Sequence, residues 1–185
     1  MSEPARDILH CIGNTALLAL RNIVPANGSR ILLKLESENP TGSEIEGFVQ
    51  SVGTAASLRG IGEALRCHKK RIRIVAVEPS ESPVLSGGPP GAHKIDGVGA
   101  GFVVPLWRRD LADQIDRVST TDATAMAFRL AREEGLFAGT STGANVIAAL
   151  RLAEQLGPGA TVVTIMCDTG MKYLRTYGAK LSEQA

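Results

Sequence analysis

Two short glycine-containing segments combine hydroxyl side chains with backbone positions that can hold a ligand. The first is Gly53-Thr54-Ala55-Ala56-Ser57, which lies between an apolar segment and a segment with helical spacing. Free N–H groups at a helix N-terminus bind anions, and the Thr54 and Ser57 hydroxyls can add donors. The segment is therefore a candidate phosphate site. A plain helix start with small capping residues explains the same composition.

The second segment is Gly139-Thr140-Ser141-Thr142-Gly143, which matches the Gly-x-Ser-x-Gly nucleophile turn of serine hydrolases. Asp168 follows it and could supply the acid of a triad. The histidines of the chain are His10, His68 and His93. All three precede Ser141, so the chain order that this class of hydrolase requires is not met. We expect a tight turn that either directs the Ser141 hydroxyl at a ligand or only forms a corner.

Composition and spacing exclude several other functions. The formal net charge is +1, and no basic run is longer than Lys69-Lys70-Arg71, so neither nucleic acid nor an anionic membrane is an expected partner. No apolar stretch reaches the length of a membrane span, and the N-terminus lacks the features of a signal peptide. Cys11, Cys67 and Cys167 are too far apart in the sequence for a Cys-x-x-Cys motif. Together these features predict a cytoplasmic protein with reduced thiols and no metal site.

Helices and strands must position these two segments, and we predict them from hydrophobic periodicity and from the glycine and proline residues that end each element. We predict strands near residues 31–36, 48–52, 72–77 and 161–166, a short strand at 136–138, and helices near 55–69, 121–135 and 146–156. Thr120 or Thr121 is expected to cap the second helix. Residues 79–105 are rich in glycine and proline and are predicted to form a long loop. Alternation of apolar strands and helices indicates an open, mostly parallel α/β sheet with helices on both faces.

Several stretches carry motifs of one enzyme family. Residues 12–17 resemble I-G-N-T-P-L, 34–43 resemble K-L-E-x-x-N-P-T-G-S, 97–102 resemble G-x-G-A-G-F, 139–144 resemble G-x-S-S-G-A, and 167–174 resemble a closing S-G-x-x-Y-L. Taken together, the chain resembles the cysteine synthase (O-acetylserine sulfhydrylase) family, which has pyridoxal-phosphate fold type II, the tryptophan synthase β-like fold. The resemblance covers nearly the whole chain, and the combination is more specific than any single motif.

This resemblance implies a chemistry and a set of cofactor contacts. The family is a group of pyridoxal-phosphate-dependent transferases that replace the acetoxy group of O-acetylserine by sulfide, with release of acetate, in cysteine biosynthesis. By resemblance, Gly53, Thr54, Ala55, Ala56 and Ser57 lie at the family's phosphate loop, usually G-T-G-G-T, and Ser141 would hydrogen-bond the pyridine nitrogen of the cofactor. An amino-acid substrate and a homo-oligomer are implied in the same way.

The chain also departs from the family pattern at its most reactive position. In the family, N-P-T-G-S continues into x-K-D-R, and that lysine forms the Schiff base with the cofactor. Here Ser43 is followed by Glu44-Ile45-Glu46-Gly47. The lysine, the loop for the substrate carboxylate and most of the smaller domain are missing at the 43/44 junction.

We therefore predict one α/β domain over residues 1–185. It would consist of an N-terminal arm, 1–43, and the remainder of the cofactor half, 46–185, which together correspond to the larger domain of the family. The predicted chain has no catalytic residue and is inactive, and it binds pyridoxal phosphate weakly and noncovalently if it binds it. The alternative is a noncatalytic module that binds pyridoxal phosphate or a partner.

Overall fold

The computed structural model describes residues 17–24, 27–35, 45–68 and 71–173. Most of the motif at 12–17, most of the motif at 34–43 and the 43/44 junction lie outside these ranges. The last residue of the closing motif at 167–174 also lies outside them. The predictions made for those residues stay predictions.

The described residues form a six-stranded sheet with the order β1-β2-β6-β3-β4-β5. Its strands are β1 Leu17–Ala19, β2 Arg30–Leu35, β3 Gly47–Ser51, β4 Arg73–Pro79, β5 Gln114–Val118 and β6 Thr161–Met166. The edge strand β1 is antiparallel to β2, and all the other pairings are parallel. The four longer predicted strands are therefore confirmed, with boundaries shifted by at most two residues.

Helices cover both faces of this sheet, as predicted. They are α1 Ala56–His68, α2 Thr120–Glu134 and α3 Thr140–Leu156, followed by a short 3-10 helix at Gly170–Tyr173. Because successive strand residues point to opposite faces, β3 sends Val49 toward α2 and α3 and Phe48 toward α1. Both side chains are at most 1% exposed. Each face thus has its own apolar core, and the sheet lies between them.

Two local predictions around Gly139 are wrong. Residues 136–138 do not form a strand, since only Ala138 makes an isolated bridge, to Thr169. The expected tight turn at 139–143 is a helix start instead, because Gly139 is the N-cap and Thr140 begins α3. The small residues of this segment allow α3 to pack closely against α2, and they do not form a separate turn. A Cβ at Gly143 would lie 3.0 Å from the Ala127 nitrogen and would overlap the Ala123 carbonyl oxygen of α2.

The boundaries of α2 follow the predicted signals with one change. Ser119 is the N-cap in place of Thr120 or Thr121, and its hydroxyl accepts a hydrogen bond from the Asp122 N–H. Gly135 ends the helix in the left-handed conformation, with φ 70°. The predicted loop after β4 is confirmed, and it continues to Asp113, where β5 follows.

Candidate functional site

A cavity of about 390 Å³ opens at the carboxyl ends of the neighbouring strands β3 and β6. Ligands of open α/β sheets bind at this position, and the volume lies within the range of small-molecule sites. The cavity is lined by Gln50, Ser51, Gly53, Thr54, Ala55, Ala56, Ser57, Leu58, Asp96, Gly97, Val98, Ser141, Cys167, Asp168 and Lys172. All six residues predicted to contact a cofactor are among them. The segment 53–57 and Ser141 therefore share one cleft, as the sequence predicts.

The segment 53–57 forms the N-terminal approach to α1. Ala55 has a φ of 67°, in the left-handed region, and its carbonyl accepts the Arg59 N–H at 2.9 Å. Ser57 and Leu58 lie in the first turn of α1, and by helix geometry their N–H groups have no intrahelical acceptor. No acidic residue lies in the first turn of α1. The helix start therefore offers N–H donors, hydroxyls and the positive end of the helix dipole to an anion.

The loop at 96–98 forms the facing wall of the cavity. A Cβ at Gly53 would overlap the Gly97 carbonyl oxygen, so the two backbones are in close contact. Gly97 has a φ of 77°, and the nearby Gly99 N–H donates to the Val52 carbonyl at 3.1 Å. Glycine is required here both for the close approach and for the left-handed backbone. The glycines at 97 and 99 thus shape this wall of the cavity.

Ser141 and Asn145 lie one turn apart on α3. Ser141 is 4% exposed and faces the cavity, whereas Asn145 is fully buried beneath it. The Asn145 side chain accepts the Ser51 N–H at 2.6 Å and donates to the Ile165 carbonyl at 2.9 Å. It therefore connects β3 to β6 at the point where the cavity begins. Sequence analysis missed Asn145, although a lone asparagine on an apolar helix face is a signal for a buried polar clamp.

Cys167 follows β6 and forms part of the cavity wall. Its sulfur lies 3.5 Å from the Asn145 Nδ2 atom. The residue is exposed by surface area because it faces the cavity, yet its thiol is largely surrounded by protein. Burial raises the pKa of the Cys167 thiol, the negative charge of Asp168 raises it further, and the contacts with the Ser141 and Asn145 side chains oppose this shift only in part. The thiol is thus held in its neutral form at ordinary pH.

Three charged residues also line the cavity, and of these sequence analysis considered only Asp168, as a possible acid partner of Ser141. They are Asp96, Asp168 and Lys172. The Asp96 N–H donates to the Thr140 Oγ1 atom at 3.2 Å, and the Asp168 carbonyl accepts the Gly139 N–H at 3.3 Å. Both aspartates are therefore placed by the start of α3. Lys172 lies in the 3-10 helix that follows.

The structure supports the rejection of a serine hydrolase. Ser141 lies in a helical turn rather than in a nucleophile turn. His93 is the histidine whose side chain lies in the described ranges, and its Nε2 atom is 3.0 Å from the Gly99 carbonyl oxygen. Its Nδ1 atom accepts the Ile95 N–H at 3.3 Å. His93 is thus engaged within its own loop and is not paired with Ser141.

The described residues offer neither a metal centre nor a membrane span. No group of three or more histidine, cysteine, aspartate or glutamate side chains there could hold a metal ion. None of the helices in the described part of the chain combines the length and the hydropathy of a membrane span.

Comparison with known proteins identifies the family. The family model described as "Pyridoxal-phosphate dependent enzyme" matches residues 43–168, which include both segments that line the cavity. The chain belongs to this family. Among its relatives is a cysteine synthase of Staphylococcus aureus, 45% identical over 135 residues, which are 73% of this chain and 44% of that protein. This member of the pyridoxal-phosphate family thus spans less than half the length of the curated relatives it matches.

Solved structures show the same fold. An O-acetylserine sulfhydrylase isoform 3 from Entamoeba histolytica superimposes with a TM-score of 0.85, over 94% of this chain and 91% of that one, at 23% identity. An O-ureido-L-serine synthase superimposes with a TM-score of 0.69 at 36% identity, over 72% of this chain and 42% of that one. The predicted resemblance to cysteine synthases and the predicted fold class are both confirmed.

Proposed function

We propose that this chain binds pyridoxal phosphate reversibly and noncovalently in the cavity between α1 and α3, and that it does not carry out the cysteine synthase reaction. The proposal rests on one observation, namely that two segments far apart in the sequence line the same cavity. The start of α1 at 53–57 and Ser141 of α3 both line it. Sequence resemblance to the family assigns phosphate binding to the first segment and a contact with the pyridine nitrogen to the second.

The residues present fit the cofactor. The α1 start supplies N–H groups and the Thr54 and Ser57 hydroxyls, which is the donor set that a phosphate monoester needs. Ser141 supplies a hydroxyl for a ring nitrogen, and Asn145 fixes the strand ends below it. When bound in enzymes of this family, the cofactor acts as an electron sink for reactions at the α-carbon of an amino acid.

The noncatalytic half of the proposal rests on the sequence. Glu44 follows Ser43, where the family continues toward its Schiff-base lysine. That lysine is also the family's acid and base at the α-carbon, so one change removes both the covalent anchor and the proton carrier. Lys172 lines the cavity, but it is exposed and lies in a short 3-10 helix. We further propose that the chain corresponds to the larger domain of the family, which leaves one side of the cavity without a closing domain.

Equilibrium dialysis with pyridoxal phosphate tests the binding half. Ser57 is exposed in the first turn of α1, where an aspartate complements the helix dipole, so Ser57→Asp should fold. We expect Ser57→Asp to lose binding because its carboxylate repels the phosphate. Ser57→Asn introduces a side chain of the same size as aspartate but without the charge, and it should keep binding. Inorganic phosphate should compete with the cofactor. Equal binding by the two variants, or no binding by folded wild-type protein, would contradict the proposal.

A further inference from the structure

The loop after β4 contacts the starts of two helices before it reaches the cavity. The Lys94 N–H donates to the Thr120 Oγ1 atom at 3.0 Å, at the first residue of α2. At the first residue of α3, the Thr140 hydroxyl accepts the Asp96 N–H at 3.2 Å and donates to the Lys94 carbonyl at 3.4 Å. Thr140 therefore binds the loop on both sides of Ile95, whose side chain is 2% exposed.

These contacts set the position of a cavity wall, because residues 96–98 line the cavity. Gly97 has no side chain that could anchor it, and its φ of 77° lies in the left-handed region. Beyond Gly97, the Gly99 N–H donates to the Val52 carbonyl at 3.1 Å. The wall is thus attached to Thr140 where it begins and to Val52 where it ends.

Thr140 acts on the cavity without lining it. Its side chain is 7% exposed, and Ser141, the next residue, is the one that lines the cavity. A side chain that supports a site through hydrogen bonds affects ligand binding by keeping the site in one geometry. The donors proposed for the phosphate, in contrast, belong to the start of α1 and take no part in these bonds.

We infer that Thr140 is a positioning residue for the ring of the ligand. It holds the wall 96–98 at the start of α3, beside Ser141, and so determines the affinity for the ring but not the affinity for the phosphate. The inference rests on the proposed function, which places the phosphate at the start of α1 and the ring nitrogen at Ser141. Without the Thr140 hydroxyl, the wall occupies this position for a smaller part of the time. The affinity for the ring then falls with the fraction of protein in the competent state.

Equilibrium dialysis with two ligands separates these contributions. Pyridoxine phosphate carries the ring and the phosphate but no aldehyde, so it forms no imine with surface lysines. Inorganic phosphate tests the start of α1 alone. Thr140→Val replaces the hydroxyl by a methyl group and removes both hydrogen bonds. We expect its affinity for pyridoxine phosphate to be about fivefold lower than that of the wild-type protein, the equivalent of one net hydrogen bond, and its affinity for phosphate to change by less than about twofold.

Two further variants are controls for this substitution. Thr140→Ser keeps the hydroxyl and should bind pyridoxine phosphate within about twofold of the wild-type protein. Thr164 is fully buried in β6, and its hydroxyl donates to the Val49 carbonyl at 2.8 Å, outside the cavity lining. Thr164→Val therefore removes a buried hydroxyl of the same kind and should leave both affinities unchanged.

Hydrogen exchange of the wild-type protein tests the same wall without a substitution. Pyridoxine phosphate should slow exchange of the Asp96 and Gly99 N–H groups, because a ligand against the wall keeps their hydrogen bonds closed. Inorganic phosphate should not slow it. This measurement decides the matter if Thr140→Val does not fold.

The outcomes separate the two proposals. Equal loss of affinity for both ligands in folded Thr140→Val, or no loss for either, would overturn the inference while leaving the proposed function standing. Binding of pyridoxine phosphate by Thr140→Ser as weak as by Thr140→Val would overturn it too, because the hydroxyl would then not be the cause. Exchange that pyridoxine phosphate does not slow has the same consequence. If folded wild-type protein binds neither ligand, the proposed function itself is wrong.

Discussion

Ala55 adopts a backbone conformation that glycine adopts at little cost. Its φ of 67° costs a non-glycine residue about 1–2 kcal/mol. The side chain is 5% exposed and packs in the apolar core beneath α1, which offsets part of this cost. Since the backbone still adopts the left-handed conformation before α1, alanine at this position is compatible with the helix start lining the cavity. Strained residues of this kind concentrate at ligand sites.

Cys167 provides a chemical probe of the cavity. Burial raises the pKa of its thiol, so less thiolate is present at a given pH than for an ordinary cysteine. We expect alkylation of Cys167 by iodoacetamide to be slow at neutral pH and to accelerate as the pH rises above the usual thiol range. Pyridoxal phosphate or phosphate should slow it further, because Cys167 lines the cavity. Peptide mass mapping gives the rate at each cysteine separately.

The control for this probe is in the same chain. Cys67 is exposed near the end of α1 and does not line the cavity. Its alkylation should be independent of added ligand. Rapid modification of Cys167 at neutral pH, or modification that ligand does not slow, would show that the thiol is not enclosed as described.

The sequence alone identified the cavity residues that belong to recognisable motifs. It missed the residues that lie at the cavity only because of how the chain folds. The segment 53–57 and Ser141 were predicted because glycine and hydroxyl residues beside helix starts have a recognisable pattern. Gln50, Asp96 and Lys172 carry no such pattern, since each reaches the cavity from a different strand, loop or helix. Their meeting depends on the pairing of β3 with β6, which no local signal specifies.

At the level of elements, the crossing of α2 and α3 depends on Gly143. A Cβ there would lie 3.0 Å from both the Ala123 carbonyl carbon and the Ala127 nitrogen. These are backbone atoms, so the helices must move apart to accept it. We expect Gly143→Ala to lower the free energy of unfolding by about 1–3 kcal/mol or more, and to weaken ligand binding because α3 positions Ser141. Urea denaturation followed by circular dichroism measures the stability change.

Gly60→Ala is the matched control for this prediction. Gly60 is in the middle of α1 and is exposed, and a Cβ added there would have no other atom within 4 Å. Because alanine has the better helix propensity, Gly60→Ala should raise the stability by about 0.5–1 kcal/mol. Equal effects of the two substitutions would mean that helix propensity, rather than the close crossing, determines the result at Gly143.

The elements that sequence predicted well are those with strong apolar periodicity. Strands β2, β3, β4 and β6 are central or covered, and their continuous apolar runs identified them. Strand β5 was missed because Gln114–Val118 is a short edge strand with three polar residues. The start of α3 was taken for a turn because threonine, serine and glycine favour turns locally, whereas the packing of Gly143 on α2 favours a helix.

At the scale of the whole molecule, α1, α3 and the loop after β4 form walls of the cavity. The chain spans less than half the length of the curated relatives it matches. Catalysis by a pyridoxal enzyme also needs a lysine at the reacting carbon, correct positioning of the substrate and exclusion of water. The cavity supplies hydroxyls, carboxylates and an exposed lysine. We propose that the domain that would close its open side is missing from this chain. We therefore expect ligand binding by this chain without catalysis.

We accordingly expect no formation of cysteine from O-acetylserine and sulfide above a protein-free control, even with saturating pyridoxal phosphate. Insertion of a lysine after Ser43 should not restore activity, because the carboxylate loop and the closing domain would still be missing. Insertion of the whole missing block from a full-length relative supplies all three and is the positive control. Borohydride treatment with the cofactor, followed by peptide mass mapping, tests for a covalent adduct independently of turnover. Stoichiometric labelling of Lys172, together with turnover that disappears in Lys172→Arg, would show that this chain is a catalyst with a different lysine.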